Sequence, residues 1–146
     1  MARPPRIANR LPLDRATIYF LTFCVEGRKA VLANDGCWQA CLDTLRRLDR
    51  WRVLAVLMMP DHVHMLASPV DREQSVSQMS KWFKRWFDEA YRPAWQWQEG
   101  VFDRLLRTEE TASQKWRYIQ ENPVRRGLVA RAEDWPYRMM YGPLDE

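Results

Sequence analysis

Residues 52–68, RVLAVLMMPDHVHMLAS, carry the clearest structural signal in the chain. Residues 52–59 and 62–68 are two runs of mainly aliphatic side chains, and the dipeptide Pro60-Asp61 separates them. Two apolar runs of strand length with turn-forming residues between them predict a β-hairpin. The second run also contains His-Val-His, the only two histidines of the chain.

The flanking sequence predicts strands and helices in alternation. β-Branched and aromatic runs predict further strands, and apolar residues spaced three and four apart predict helices. The other predicted strands cover residues 16–25, 28–33 and 101–107. Three helices are predicted. The first begins at Asp35, and the second runs from an Asp71–Gln74 capping box to about Tyr91. The third spans 108–122, with a cap at Thr108-Glu109-Glu110 and an end at Pro123. This order predicts an α+β fold, ferredoxin-like or a related split architecture, with a largely antiparallel sheet and helices on one face.

The length of 146 residues fits a single domain, 1–146. We expect a basic N-terminal arm at 1–15 and a C-terminal tail at 123–146. A hydrophobic content of 47% excludes a disordered or collagen-like chain. Because no apolar run approaches a membrane span and no secretory signal is visible, we expect a cytoplasmic protein with no membrane partner.

The chain is basic and unusually rich in arginine and tryptophan. Arginine supplies 19 of its 23 basic residues, there are eight tryptophans, and the net charge is +4. Because guanidinium groups match phosphate geometry and stack on aromatic faces, this composition suggests a nucleic-acid partner. A coding bias toward arginine and tryptophan would give the same composition.

His62 and His64 are two residues apart on a predicted strand, so both side chains leave the same face. Two neutral imidazoles side by side can share a metal ion. The alternative is a chance pair on a solvated strand face. Asp61 could add a carboxylate to the site or serve only the turn.

The predicted helix at 108–122 carries a polar stripe made of Thr111, Lys115, Tyr118 and Asn122. A phenol beside a lysine and an amide can act as a nucleophile when a neighbouring cation favours the phenolate. The alternatives are a tyrosine at the rim of an amphipathic helix and an asparagine that ends the helix before proline.

Together these segments resemble a known family. MMPDHVHML at 58–66 is similar to the His-hydrophobic-His (HUH) motif, and WRYIQENPVRRGLVARAEDWPY at 116–137 is similar to the tyrosine segment of the REP-associated tyrosine transposases. These are relatives of the single-tyrosine HUH transposases of bacterial insertion sequences. The resemblance implies a ferredoxin-like HUH fold and an enzyme that cleaves and rejoins single-stranded DNA beside palindromic hairpins.

The resemblance also implies roles for individual residues. His62, His64 and Asn122 match the metal ligands, and Tyr118 matches the nucleophile that forms a 5′-phosphotyrosine intermediate. It implies Mg²⁺ or Mn²⁺ as the metal, whereas imidazole ligands by themselves favour Zn, Ni or Cu.

Candidate DNA contacts are basic residues of the arm, the long helix and the tyrosine segment: Arg3, Arg6, Arg10, Lys81, Arg85, Arg104, Lys115, Arg117, Arg125 and Arg126. Trp82, Trp95 and Trp97 could stack on unpaired bases, or could pack beneath their loop.

Two other functions fit the same residues. One is a non-catalytic protein that binds hairpin DNA, and the other is a metal-dependent nicking enzyme of plasmid replication, which the short length and the lone tyrosine disfavour. The resemblance favours a monomer over a dimer.

Overall fold

The computed structural model describes residues 17–107, 111–142 and 144. The strands are β1 (Tyr19–Cys24), β2 (Trp51–Met58), β3 (His62–Pro69), β4 (Phe102–Leu105) and β5 (Arg138–Met140). The helices are α1 (Asp35–Arg47), α2 (Val76–Tyr91), α3 (Ala112–Gln120) and the short α4 (Asn122–Arg125). The predicted arm at 1–15 and the predicted cap at 108–110 lie outside the described residues.

The five strands form one sheet in the order β4-β1-β3-β2-β5, and every neighbouring pair is antiparallel. The first four strands with α1 and α2 follow the β-α-β-β-α-β order of a ferredoxin-like fold. The predicted α+β class is therefore confirmed. Within the predicted C-terminal tail, β5 pairs with β2 and extends the sheet.

One face of the sheet, here called the helical face, is covered by α1 and α2. Its largest fully buried side chains include Phe23 of β1 and Phe83 and Phe87 of α2. The Phe23 and Phe83 rings stack with centroids 4.4 Å apart. Burying a phenylalanine side chain contributes roughly 1.5–3 kcal/mol, so this layer carries a large share of the folding free energy.

The opposite face, here called the site face, is covered by α3. Trp116 and Ile119 of α3 are buried against Leu57 of β2 and Leu66 of β3. The expectation that all helices lie on one face is therefore wrong. The period of α3 could predict its apolar stripe, but only the path of the chain between β4 and α3 decides which side of the sheet that stripe covers.

Three local predictions are also wrong. Residues 28–33 form no strand, since a 3-10 turn occupies Glu26–Arg28 and an irregular segment follows. The helix α2 is capped by Ser75, whose hydroxyl accepts from the Gln78 backbone N–H, whereas Asp71 belongs to the preceding turn. Pro123 does not end α3, which already stops at Gln120; it lies in the first turn of α4, where its missing N–H costs little.

In the described part of the chain, no helix has both the length and the apolar character required to cross a bilayer.

Candidate active site

The two histidines of β3 point their distal nitrogens at each other on the site face. His62 Nε2 and His64 Nε2 are 3.1 Å apart, and the ring planes cross at 73°. Two nitrogens that each lie about 2.1 Å from one ion at an angle near 90–110° are about 3.0–3.4 Å apart. The spacing therefore fits two ligands of a single metal ion.

The proximal nitrogens of both rings have partners of their own. His62 Nδ1 donates to Asp61 Oδ1 at 2.7 Å, and Thr22 Oγ1 lies 3.0 Å from His64 Nδ1. Arg28 Nε donates to the second carboxylate oxygen of Asp61 at 3.0 Å. Metal-binding histidines commonly have such outer partners, which fix the ring orientation and make the ligand nitrogen more basic. Asp61 thus serves the site as well as the turn.

Burial keeps both imidazoles neutral at physiological pH. It is the largest cause that lowers the pKa of His64 to about 3, followed by the charges of His62, Lys115, Arg125 and Arg28. Burial also lowers the pKa of His62, although Asp61 opposes the effect. Burial by itself would raise the pKa of Asp61, but its contacts with His62 and Arg28 outweigh burial and lower it. Neutral imidazole is the form that binds metal.

Within the described ranges, no group of three His, Cys, Asp or Glu residues could hold a metal ion. The predicted third ligand, Asn122, would contribute an amide oxygen. An amide oxygen suits hard ions such as Mg²⁺ and Mn²⁺ better than soft ones. The residues present fit a divalent ion with two imidazole ligands.

Tyr118 projects from α3 with 58% of its surface exposed. The guanidinium carbon of Arg125 lies 4.2 Å from its ring centroid, and Lys115 Nζ lies 5.0 Å from it. Arg125 also donates to the Tyr118 carbonyl at 2.9 Å and to Asn122 Oδ1 at 2.8 Å. Arg125 therefore holds the predicted nucleophile and the predicted third ligand together.

The tyrosine edge of α3 is connected to the histidine pair through a phenylalanine of β1. Lys115 Nζ lies 4.6 Å from the ring centroid of Phe20, and the Phe20 ring lies 5.1 Å from the His64 ring. The structure thus brings three of the predicted site residues, His62, His64 and Tyr118, to one side of the sheet, with Asn122 following on α4.

The predicted DNA contacts divide between the two faces. Lys115 and Arg125 lie at Tyr118, Arg126 is close enough to His62 for its charge to lower the pKa of that imidazole, and Arg117 is exposed on α3. Arg104 pairs with Phe20 in the strand register and so lies on the site face. Arg3, Arg6 and Arg10 lie outside the described residues.

Lys81, Arg85 and Trp82 lie on α2, on the other side of the sheet from the histidines. Arg85 lies 3.6 Å from Glu89, and Trp82 packs against Trp86 with ring centroids 5.0 Å apart. Their role as DNA contacts stays a prediction.

Two further tryptophans pack as the alternative interpretation expected. Trp97 is buried against Phe83 and Phe87 and donates to Asp88 Oδ1, and Trp95 is partly buried beside it. The ring of Trp97 is therefore enclosed by the core, whereas Trp95 is only partly buried.

Three contributors were missed from the sequence. Thr22 and Phe20 alternate along a strand and face the same side as the histidines, so the pairing of β1 with β3 would have revealed them. Arg28 gives no such signal, because it lies in a 3-10 turn and reaches Asp61 only through the tertiary fold.

The chain is similar to known proteins in sequence and in fold. No protein-family model matches the chain. A Haemophilus influenzae protein provisionally named a REP-associated tyrosine transposase is 25% identical, with 88% of this chain and 82% of that protein covered.

Two solved structures share the fold. One is a REP-associated tyrosine transposase bound to a REP hairpin, with a TM-score of 0.65, 22% identity, and coverage of 94% of this chain and 82% of that one. The other is a Deinococcus radiodurans protein provisionally assigned as a transposase, with a TM-score of 0.51, 21% identity, and coverage of 71% and 88%. The resemblance to REP-associated tyrosine transposases is thereby confirmed.

Proposed function

We propose that this chain is a tyrosine transposase that cleaves and rejoins single-stranded DNA beside palindromic hairpins of the REP type. The supporting observation is the convergence of His62 Nε2 and His64 Nε2 at 3.1 Å, on the same side of the sheet as an exposed tyrosine. The hairpin substrate is suggested by the solved relative, which is bound to a REP hairpin.

In the proposed reaction the Tyr118 oxygen attacks the scissile phosphorus. A bond forms between that oxygen and phosphorus, and the bond from phosphorus to the 3′-oxygen breaks. The tyrosine proton is lost to solvent and the departing 3′-oxygen takes up a proton, which leaves a 5′-phosphotyrosine and a free 3′-OH. A 3′-OH that attacks the same phosphorus reverses these steps and joins two strands, so the phosphodiester energy is retained.

His62, His64 and Asn122 would hold Mg²⁺ or Mn²⁺ in this proposal. When bound, the ion would draw charge from a non-bridging phosphate oxygen and orient the scissile bond. Asp61 and Thr22 hold the two rings in their orientation. Arg125 restricts the Tyr118 ring and keeps Asn122 beside it, which supplies the positioning that phosphoryl transfer needs.

We also propose that one chain forms the whole site and acts as a monomer. Phe20 and Lys115 connect Tyr118 to His64 within the same chain. No second copy is needed to bring the nucleophile to the histidines.

The test is covalent capture of DNA on a denaturing gel. The protein is incubated with Mn²⁺ and a single-stranded oligonucleotide that carries a palindromic hairpin, labelled at either the 3′ or the 5′ end. The 3′ label should migrate with the protein and the 5′ label should not, because the phosphate stays on the downstream fragment. Tyr118→Phe should abolish the band, and a chelator should prevent it.

Tyr141→Phe is the matched control, since Tyr141 is also exposed but lies beyond β5. It should leave the band unchanged. Hairpin binding without any covalent band would favour the non-catalytic DNA-binding protein. Cleavage that survives Tyr118→Phe would refute the nucleophile and favour a metal-dependent nuclease.

A further inference from the structure

Beside the histidines, the site face continues onto β1 and β4. The buried residues of α3 pack on β2 and β3, and Lys115 of α3 lies over the ring of Phe20 on β1. Beyond β1 lies the edge strand β4, whose four residues are all exposed. Strands β1 and β4 therefore extend the site face from the histidine pair to the edge of the sheet.

Phe102 of β4 lies on this part of the site face, in the same cross-strand row as His64. It pairs with Thr22 of β1, and Thr22 pairs with His64 of β3. Directly paired residues of an antiparallel sheet project to the same face, so Phe102 and His64 share the site face. Two strand spacings separate their backbones by roughly 10 Å.

The Phe102 ring is 60% exposed, the largest exposure among the large hydrophobic residues of the described chain. The neighbouring Phe20 cannot offer a free face in the same way, because Lys115 lies over it. An exposed phenyl ring contributes little to folding, whereas aromatic rings on open sheet faces are a common platform for unpaired bases. The neighbouring Arg104 lies on the same face and supplies positive charge for a backbone.

We propose that Phe102 stacks on an unpaired base of the single-stranded DNA that leads into the active site. This base subsite rests on the proposed function for its DNA substrate. Stacked nucleotides rise about 3.4 Å each, so roughly 10 Å locates the base within about three nucleotides of the scissile phosphate. Stacking accepts any base, so the subsite holds the strand in place without reading its sequence.

The first test measures binding of a fluorescein-labelled oligothymidine by anisotropy without metal. Phe102→Ala should weaken binding about 5- to 150-fold, the range expected for loss of one base–aromatic stack. Phe102→Trp should retain the affinity. Leu105→Ala is the matched control, because Leu105 lies on the same edge strand and is 50% exposed, but pairs with Tyr19 and projects to the helical face.

The second test locates the base in hairpin DNA. Single abasic sites are introduced at each of the three positions beside the cleaved bond, and binding is compared between the natural chain and Phe102→Ala. At one of these positions, the abasic site should lower the DNA affinity of the natural chain to that of Phe102→Ala, so that the two proteins bind equally.

Equal binding by Phe102→Ala and the natural chain would overturn the proposal. The proposal would also be overturned if Phe102→Ala bound every abasic DNA more weakly than the natural chain by the same factor, since that pattern indicates a structural effect. Neither binding test requires cleavage. If a covalent band forms but DNA binding does not depend on Phe102, only the base subsite is refuted. If DNA binding depends on Phe102 but no covalent band forms, only the transferase function is refuted.

Discussion

The two faces of the sheet differ in what they bury. The helical face holds fully buried aromatic rings, among them Phe23, Phe83 and Phe87. The site face has a smaller apolar cluster under α3, and beside it the two histidines and the exposed Phe102. Strand β3 serves both, because Val63 and Met65 enter the core of the helical face while His62 and His64 alternate with them.

This difference shows how a small domain can tolerate a polar site on its central strands. Buried polar groups cost free energy unless they are hydrogen-bonded, and His62, His64 and Asp61 all have partners. The apolar layer on the other face packs against β1 and β3, the strands that carry Thr22 and the histidines. We therefore expect mutations on the helical face to change mainly the free energy of unfolding, and mutations on the site face to change mainly metal binding and DNA complex formation.

The largest effect should follow from Phe83→Ala. The ring is fully buried against Phe23 and Trp97, so its removal leaves a cavity and should lower the free energy of unfolding by about 3–5 kcal/mol. Urea denaturation measures the loss. Below the melting temperature, the folded variant should still form the covalent DNA complex.

Phe102→Ala is the control of the same residue type on the other face, and it should change the unfolding free energy by less than about 0.5 kcal/mol. If the folded Phe83→Ala variant lost metal binding, the assignment of stability to one face and function to the other would be wrong.

A smaller effect, on the site face, should follow from Asp61→Asn. The amide can still accept from His62 but loses the charge that pairs with Arg28 and strengthens the imidazole as a ligand. We expect Mn²⁺ affinity to fall about 10- to 100-fold, equivalent to about 1.4–2.7 kcal/mol. Calorimetric titration measures it.

Asp103→Asn provides the comparison, since Asp103 is exposed and pairs with Leu21, which faces the helical layer. It should bind Mn²⁺ as the natural chain does. Unchanged affinity in Asp61→Asn would argue against a metal at the histidine pair.

The smallest effect should follow from Arg125→Lys. A lysine cannot cover the Tyr118 ring and donate to the Tyr118 carbonyl and Asn122 at once. We expect covalent complex formation to slow about tenfold, or about 1.4 kcal/mol in activation free energy, while hairpin affinity stays nearly constant. The measurement is the single-turnover rate at saturating DNA.

Arg131→Lys serves as its control, because Arg131 pairs only with Glu133 and Asp134 among the ion pairs described. An equal loss of hairpin affinity and rate in Arg125→Lys would instead make Arg125 a phosphate contact, the role first predicted for it.

Local patterns were enough to predict most of the elements. The hairpin around Pro60-Asp61 and the helices beginning at Asp35 and ending at Tyr91 were predicted within a few residues. The polar stripe of α3 was also predicted, because Ala112, Trp116 and Ile119 are buried while Tyr118 is exposed. The roles of Tyr118, His62, His64 and Asn122 stay predictions until the experiments above are done.

Errors arose where several choices satisfy the same local pattern. Asp71 and Ser75 can both begin a helix, and only Ser75 hydrogen-bonds in the first turn of α2. Lys81 and Arg85 stay predicted DNA contacts, on a helix that packs on the opposite face of the sheet from the histidines.

Residue order alone is enough to predict which side chains share a strand or helix face, because this depends only on the periods of two and 3.6 residues. It therefore determined that His62 and His64 lie together and that Lys115 and Tyr118 lie together. The folded structure was needed to show that these two pairs meet across Phe20, that Arg28 reaches Asp61, and that Phe102 lies in the same cross-strand row as His64. Those contacts depend on strand order and on the side of the sheet that α3 covers, and both are set by packing between residues far apart in the chain.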